Sequence, residues 1–438
     1  MIHDGSPAND AAEVRQHRPH LGGRCRDSQR GGGVAHAGHP SPGAINCRAD
    51  WHLFRLFWRG ATPRSSGPNR SRASQRPCCG VQHDGAAPWR AEQEPDMHVS
   101  ATLPQHNLRA VPDEVRRIEA DGYDCVVTME NRHEPFIPLG IAAVNSERVR
   151  LATSVAISFP RSPMVTASTA WDLQGASDGR FVLGIGSQVK GHNERRFSVP
   201  WSAPAPRMAE YVQAIRAIWQ TWATGEPLSY EGEHYQFSLM TPNFTPEPLD
   251  GPTPPIMIAA VGPAMLRVAG QHCDGVRLHG FCTPDYLRRQ VMPELQTGLD
   301  RAGRSRSDFW ITGGGFICTG PDDETVDRMV EWVRYRIGFY GSTRAYWPVL
   351  EQHDLGDLGE KLNHLSRNDG WGQMAGCVDD DVVRLFAAVG RHDQIAGAIA
   401  EHFDGLVDEV NASVSMDIGA DLPPDVIQDI QAIRSDGN

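Results

Sequence analysis

Between residues 128 and 134 the chain reads Thr128-Met129-Glu130-Asn131-Arg132-His133-Glu134, two carboxylates, a guanidinium and an imidazole in one short run. An imidazole titrates near neutral pH, so His133 is the group here best suited to giving or taking a proton, with Glu130 second. The same run also reads as a solvated loop in which Arg132 and Glu134 pair at the surface. Further on, Gly184-Ile185-Gly186-Ser187-Gln188-Val189 approaches a dinucleotide fingerprint. Val189 takes the place of the third glycine, and Lys190 to Phe197 reads as a loop, so a Rossmann site fails on both counts. What survives is a pair of glycines that lets a planar ring or a chain approach the backbone. Ala260-Val261-Gly262-Pro263-Ala264 ends one element and starts a helix, leaving backbone N–H groups that suit a phosphate. An ordinary strand-to-helix turn would look the same.

Other chemistries are excluded by what the chain lacks. There is no Walker loop, no Gly-x-Ser-x-Gly elbow and no His-Glu-x-x-His, and the histidines are not spaced as a metal site, so no metal is expected. The cysteines form no Cys-x-x-Cys pair, and Cys78 and Cys79 are adjacent, which suits neither zinc nor an ordinary disulfide. Cys125, Cys273, Cys282, Cys318 and Cys377 read as reduced, apolar filler. No apolar run is long enough to span a bilayer and no signal peptide is evident at Met1, so no membrane partner and a cytoplasmic location are expected.

Charge divides the chain. Residues 1–96 carry 13 Arg, no Lys and 9 acidic residues, a net of +4; with −12 overall, the rest carries −16. An acidic body disfavours nucleic acid as a partner, because neutralising phosphates needs a basic face. Residues 1–96 show neither a period of 2 nor one of 3.6, and their apolar cluster from Trp51 to Trp58 is too short to build a core. They read as a disordered arm or as translated upstream sequence ahead of a start at Met97, and as having no catalytic role.

The elements that must position these groups begin at Met97. Strands are expected at His98–Leu103, Tyr123–Met129, Val149–Ile157, Phe181–Gly186, Pro255–Val261, Gly275–His279, Phe309–Thr319 and Leu406–Val414, with a helical stretch after each. Eight alternating units predict an α/β fold, a (β/α)8 TIM barrel over residues 97–438, in which chemistry sits at the C-terminal strand ends. Two stretches break the rhythm. Gly225–Asp250 reads as a β-ribbon inserted after strand four, and Tyr346–Val378 as a partly helical insertion after strand seven; both are candidate substrate lids. The run Gly313-Gly314-Gly315 inside strand seven marks a bulge or a close backbone approach.

Two ordered anchors give the chain a family likeness. Leu151-Ala152-Thr153-Ser154-Val155 is followed by Ala170-Trp171-Asp172-Leu173 and Gly179-Arg180-Phe181-Val182-Leu183-Gly184-Ile185-Gly186-Ser187. The second anchor is Ala259-Ala260-Val261-Gly262-Pro263-Ala264-Met265 with Asp274-Gly275. Together they resemble the luciferase-like monooxygenase superfamily, in particular its F420-dependent oxidoreductase branch. The resemblance implies a non-prolyl cis peptide at Ser154–Val155 that backs the deazaflavin or isoalloxazine ring. It also implies cofactor contacts from Gly186, Ser187, Gln188, Ala260, Gly262, Pro263 and Ala264. His133 falls near an active-site histidine of several F420-dependent relatives. Sugar-phosphate dehydrogenases of the family carry a glutamate where this chain has Val189, which argues against a sugar phosphate.

The implied activity is hydride transfer between coenzyme F420 and a small organic substrate, with the protein supplying orientation, a dry cleft and a proton. An FMN-dependent two-component monooxygenase and a non-catalytic barrel that only binds the cofactor are the alternatives. A homo-oligomer, dimer or larger, is implied by the family's habit.

Overall fold

The computed structural model describes residues 97–403, 405–412 and 422–433; the expectations for residues 1–96 and for the end of strand eight at 413–414 lie outside them. The first half of the described chain runs β1 (His98–Thr102), α1 (Val111–Asp121), β2 (Cys125–Thr128), α2 (Phe136–Ala143), β3 (Arg150–Thr153), β4 (Ala156–Ile157), α3 (Pro163–Ala176), β5 (Phe181–Gly186), α4 (Lys190–Arg195) and α5 (Pro204–Thr224). A short hairpin, β6 (Tyr230–Glu231) and β7 (Gln236–Phe237), leads to β8 (Ile256–Ala260), α6 (Pro263–His272) and β9 (Gly275–Leu278). Then come α7 (Pro284–Tyr286), a π turn, α8 (Met292–Ala302), β10 (Trp310–Thr312), β11 (Phe316–Gly320) and α9 (Asp323–Gly341). The chain continues through α10 (Trp347–Glu351), α11 (Gly356–Arg367), α12 (Asp380–Phe386), β12 (Ala387–Arg391), α13 (Ile395–Phe403), β13 (Glu409–Asn411) and α14 (Pro424–Gln431).

Eight parallel strands close into the expected barrel, in the order β3-β2-β1-β13-β10-β9-β8-β5, and β5 pairs back to β3 at Leu151 and Phe181. Alternation along each strand produces two interiors. Outward residues such as Val126, Leu151, Phe181, Ile256 and Val276 pack beneath the helices in one large apolar core. Trp219 and Tyr211 on α5 are among its largest fully buried members, and burying a side chain of this kind stabilises the fold by about 1.5–3 kcal/mol. Inward residues form a much smaller apolar patch, Cys125, Val127 and Ala152. Below it lies an unusually polar core: Arg277 reaches Glu409 Oε1 at 3.7 Å, and both side chains are buried. A cavity of about 20 Å³, lined in part by Arg150, Arg277 and Glu409, opens at that N-terminal end of the barrel, enough for one water.

Two expectations need correcting, for strand seven and for Lys190 to Phe197, while the expected ribbon is present as the β6–β7 hairpin. Strand seven is not continuous: Gly313 and Gly314 sit at φ +82° and +96°, and a side chain on Gly313 would meet the Leu278 carbonyl at 2.6 Å. The close approach expected there is real, and it ends the barrel strand at Thr312. β11 leaves the barrel and pairs in parallel with β12, from Phe316–Ala387 to Gly320–Arg391. Lys190–Arg195 is a short helix, not a loop; the buried Asn193 amide ties it down by donating to the Ser187 and Val189 carbonyls at 2.9 and 3.2 Å. Finally, the ribbon after strand four is fastened to outer helices. Glu210 of α5 accepts from the backbone N–H of Glu233, His234 and Tyr235, and Trp171 of α3 donates to the Glu247 carbonyl at 3.1 Å. Among the described residues Glu210, Glu233 and His234 bring three potential metal ligands together; the Glu210 carboxylate is engaged by the hairpin turn.

Candidate active site

The peptide bond between Ser154 and Val155 is cis, as the resemblance implied. It separates β3 from β4 at the C-terminal end of the barrel, and the strand-two loop locks it in place. Ser154 donates its N–H to the Thr128 carbonyl at 2.6 Å, and Glu130 donates its N–H to the Val155 carbonyl at 3.3 Å. Glu130 Oε2 then accepts from the Ile157 N–H at 2.7 Å and from Arg161 at 2.6 Å. Arg161 also donates to the Ile157 carbonyl and to Glu134 Oε1, at 2.8 and 3.2 Å. The second oxygen of Glu134 takes the Phe136 and Ile137 N–H groups at 2.7 and 2.8 Å, satisfying free donors at the start of α2. Arg161 therefore joins the loop after strand two to the bend after strand three.

This arrangement separates the two residues proposed for proton transfer. Glu130 is an ion-paired carboxylate, its side chain 10% exposed, and it acts as an acceptor that holds residues 155–157. His133 is exposed on the same loop. The surface pair Arg132–Glu134 read from the sequence gives way to Arg161–Glu134.

The expected cofactor contacts gather around the same opening. Gly186 ends β5 opposite the cis bond, and a Cβ there would lie 2.8 Å from Val155 Cγ2. A glycine is what lets Val155 seat against the strand. Gln188 takes φ +55°, turning the chain after Ser187. Gly262, Pro263 and Ala264 are exposed at the start of the ten-residue α6, with open space beside Gly262, while Ala260 is buried. A smooth bed at Val155 and Gly186, with an accessible helix start nearby, fits a planar ring carrying a phosphorylated chain.

The residue at the end of strand six was passed over by the sequence reading. His279 follows β9, and its Nδ1 accepts the Phe281 N–H at 2.9 Å. Its ring meets Tyr340 at 4.3 Å, nearly edge-on, and Tyr346 at 4.8 Å. Burial pushes its pKa down to about 4. The same rule that pointed to His133, reading the residue just past a strand, would have found it. Phe281 also packs against Tyr340, at 6.3 Å, and belongs to this group. Tyr340 comes from the end of α9 and Tyr346 from the first residue of the insertion after strand seven, so that insertion packs against His279 through Tyr346. The buried thiols of Cys125, Cys282 and Cys318 are pushed up to about 12, consistent with inert filler.

Comparison with known proteins agrees with this geometry. Residues 89–409 match the family model described as luciferase-like monooxygenase. The chain belongs to that family and is an oxidoreductase of the luciferase-like type. An uncharacterized protein of Mycobacterium tuberculosis (strain ATCC 25618 / H37Rv) is 43% identical over 314 residues, covering 72% of this chain and 92% of the relative. A 5,10-methylenetetrahydromethanopterin reductase of Archaeoglobus fulgidus is 29% identical over 329 residues, 73% of this chain and 92% of the relative. Among solved structures, the coenzyme F420-dependent tetrahydromethanopterin reductase of Methanopyrus kandleri superimposes with a TM-score of 0.63 at 20% identity, covering 78% of this chain and 99% of that one.

Proposed function

We propose that this protein transfers a hydride between coenzyme F420 and an organic substrate held in the barrel mouth. The observation that carries the reading is the cis Ser154–Val155 bond facing Gly186, a bed for a planar ring. Similarity to a 5,10-methylenetetrahydromethanopterin reductase, and in fold to the coenzyme F420-dependent tetrahydromethanopterin reductase, favours a deazaflavin. When bound, the deazaflavin supplies the carbon centre that exchanges hydride with substrate.

The chain's own residues supply the rest. Val155 and Gly186 set the plane of the ring. Glu130 and Arg161 keep that bed rigid, since a site whose support moves by an ångström loses much of its rate. Ser187, Gln188 and the Gly262–Ala264 helix start hold the cofactor's chain and phosphate. His133 delivers or accepts the proton that accompanies hydride transfer. The barrel from Met97 carries this activity without residues 1–96.

Fluorescence titration separates the cofactors. F420 is expected to bind in the micromolar range or tighter; tight binding of reduced FMN with no affinity for F420 would replace this reading with a flavin monooxygenase. In a barrel that merely stores cofactor, His133→Asn would leave every function untouched. In an oxidoreductase it lowers turnover by about 10²–10⁴-fold with cofactor affinity retained.

A further inference from the structure

The side chains that edge the floor of the mouth follow from strand alternation and register. Ala259 pairs with Arg277 and Gly184 with Met257, so the next inward positions toward the opening are Gly186, Ser154, Thr102, Asn411 and, beyond Arg277, His279. Among these described positions His279 is the titratable one; Arg277 lies a layer lower, against Glu409. Substrate reaching the ring bed therefore meets a floor without formal charge.

His279 is also unusually well fixed. Accepting the Phe281 N–H through Nδ1 places the neutral ring's proton on Nε2. Tyr340 and Tyr346 pack on the imidazole, and Phe281 packs on Tyr346 at 5.5 Å. Desolvation in this aromatic box keeps the imidazole neutral at working pH. The charged group facing it is Arg336 of α9, which stacks on Trp332 at 4.6 Å.

We propose that His279 is a substrate-positioning residue whose Nε2–H holds the oxygen of an uncharged, apolar carbonyl compound, or of the alcohol derived from it, with Phe281, Tyr340 and Tyr346 as the apolar wall. The proposal rests on the oxidoreductase reading above. In the reducing direction, hydride from the reduced cofactor adds to the carbonyl carbon while the C=O π pair moves onto oxygen. Oxygen then takes a proton from protonated His133; the carbonyl compound is reduced and the cofactor oxidised. His279 keeps its own proton throughout and acts as a neutral hydrogen-bond donor.

The test uses the full chain with ¹⁵N-labelled histidine and three probes: cyclohexanone, cyclohexanol and cyclohexanecarboxylate. One imidazole, lost in His279→Asn, is expected to hold the Nε2–H form from pH 5.5 to 8. Its signal is expected to shift with the ketone and the alcohol and not with the carboxylate. The asparagine can still accept the Phe281 N–H, so at pH 8, above the range in which the imidazole affects stability, His279→Asn is expected to unfold as wild type and bind F420 as wild type, yet bind cyclohexanone about 10-fold more weakly. A response to carboxylate alone, titration of His279 near pH 6.5, or unchanged ketone affinity in the variant would each overturn the assignment. Wild-type spectra decide the tautomer even if the variant misfolds. Failure of the wild type to bind F420 or FMN would instead sink the cofactor reading, and the probe shifts would still report on His279.

Discussion

Replacing Arg161 with methionine tests whether the mouth is held together as described. Methionine keeps much of the aliphatic bulk and removes every donor. Arg161 is 19% exposed and Glu130 10%, at 2.6 Å; Glu134, at 3.2 Å, is 38% exposed. Without the guanidinium, the Glu130 oxygen it bonds retains the Ile157 N–H, while the Glu134 oxygen that caps α2 keeps both of its backbone donors. Breaking a fully buried pair costs roughly 3–5 kcal/mol, and an exposed arm contributes roughly 0–1 kcal/mol. Since one end of this pair is about one-fifth solvated, a loss of about 2–4 kcal/mol is expected in urea unfolding. F420 affinity, by fluorescence titration, is expected to fall by about 10-fold or more, because residues 155–157 lose an anchor. Removing the stranded charge as well, in Glu130→Gln/Arg161→Met, should recover about 1–2 kcal/mol relative to the single variant. A loss below about 0.5 kcal/mol, or strict additivity of the two changes, would show the pair to be screened by solvent and the bracing argument to be wrong.

Three further outcomes are expected. Gly186→Ala pushes a methyl toward Val155 Cγ2, so cofactor affinity should drop by about 10-fold or more at a stability cost of about 1–3 kcal/mol; unchanged affinity would mean that no ring lies there. Burial lowers the pKa of His279 and of His402 to about 4. Between about pH 6.5 and 4 the unfolded chain therefore binds protons that the folded chain does not, so stability present above pH 6.5 is lost as pH falls, by up to about 1.4 kcal/mol per pH unit for each histidine. His279→Asn should flatten that slope in pH-dependent urea melts, and an identical slope would contradict the buried neutral state. Of the five described cysteines, Cys377 alone is not buried, so native iodoacetamide labelling mapped by mass spectrometry should modify it first; early labelling of Cys125 or Cys273 would refute the packing.

The barrel was legible because each of its strands is a short β-rich run separated from the next by a helix, a pattern encoded locally. The cis bond was legible through resemblance alone, since Ser154-Val155 has no local signature. β12 was missed because α12 runs into it directly, Phe386 to Ala387, with no turn residue between them. α4 was missed because six residues carry too little periodicity, and its anchor, Asn193, acts through tertiary contacts. Within the site, Glu130 and His133 stand three positions apart and look interchangeable on paper. Only the fold reveals that Arg161, from beyond the next strand, claims one and leaves the other at the surface. Tyr340 and Tyr346 lie some sixty residues after His279 in the sequence, a partnership that no local pattern announces.

The interruption of strand seven has an evolutionary side. Since β11 pairs with β12 and not with a barrel neighbour, the long crossover that carries Tyr340 and Tyr346 is mounted on its own two-stranded clasp. Insertions, deletions or wholesale replacement in that crossover need not disturb the register of the eight closed strands. Selection can thus retool the proposed substrate wall while the proposed ring bed is inherited intact, and a transplanted crossover joined at Gly320 and Ala387 would be a natural unit for exchanging specificity between relatives.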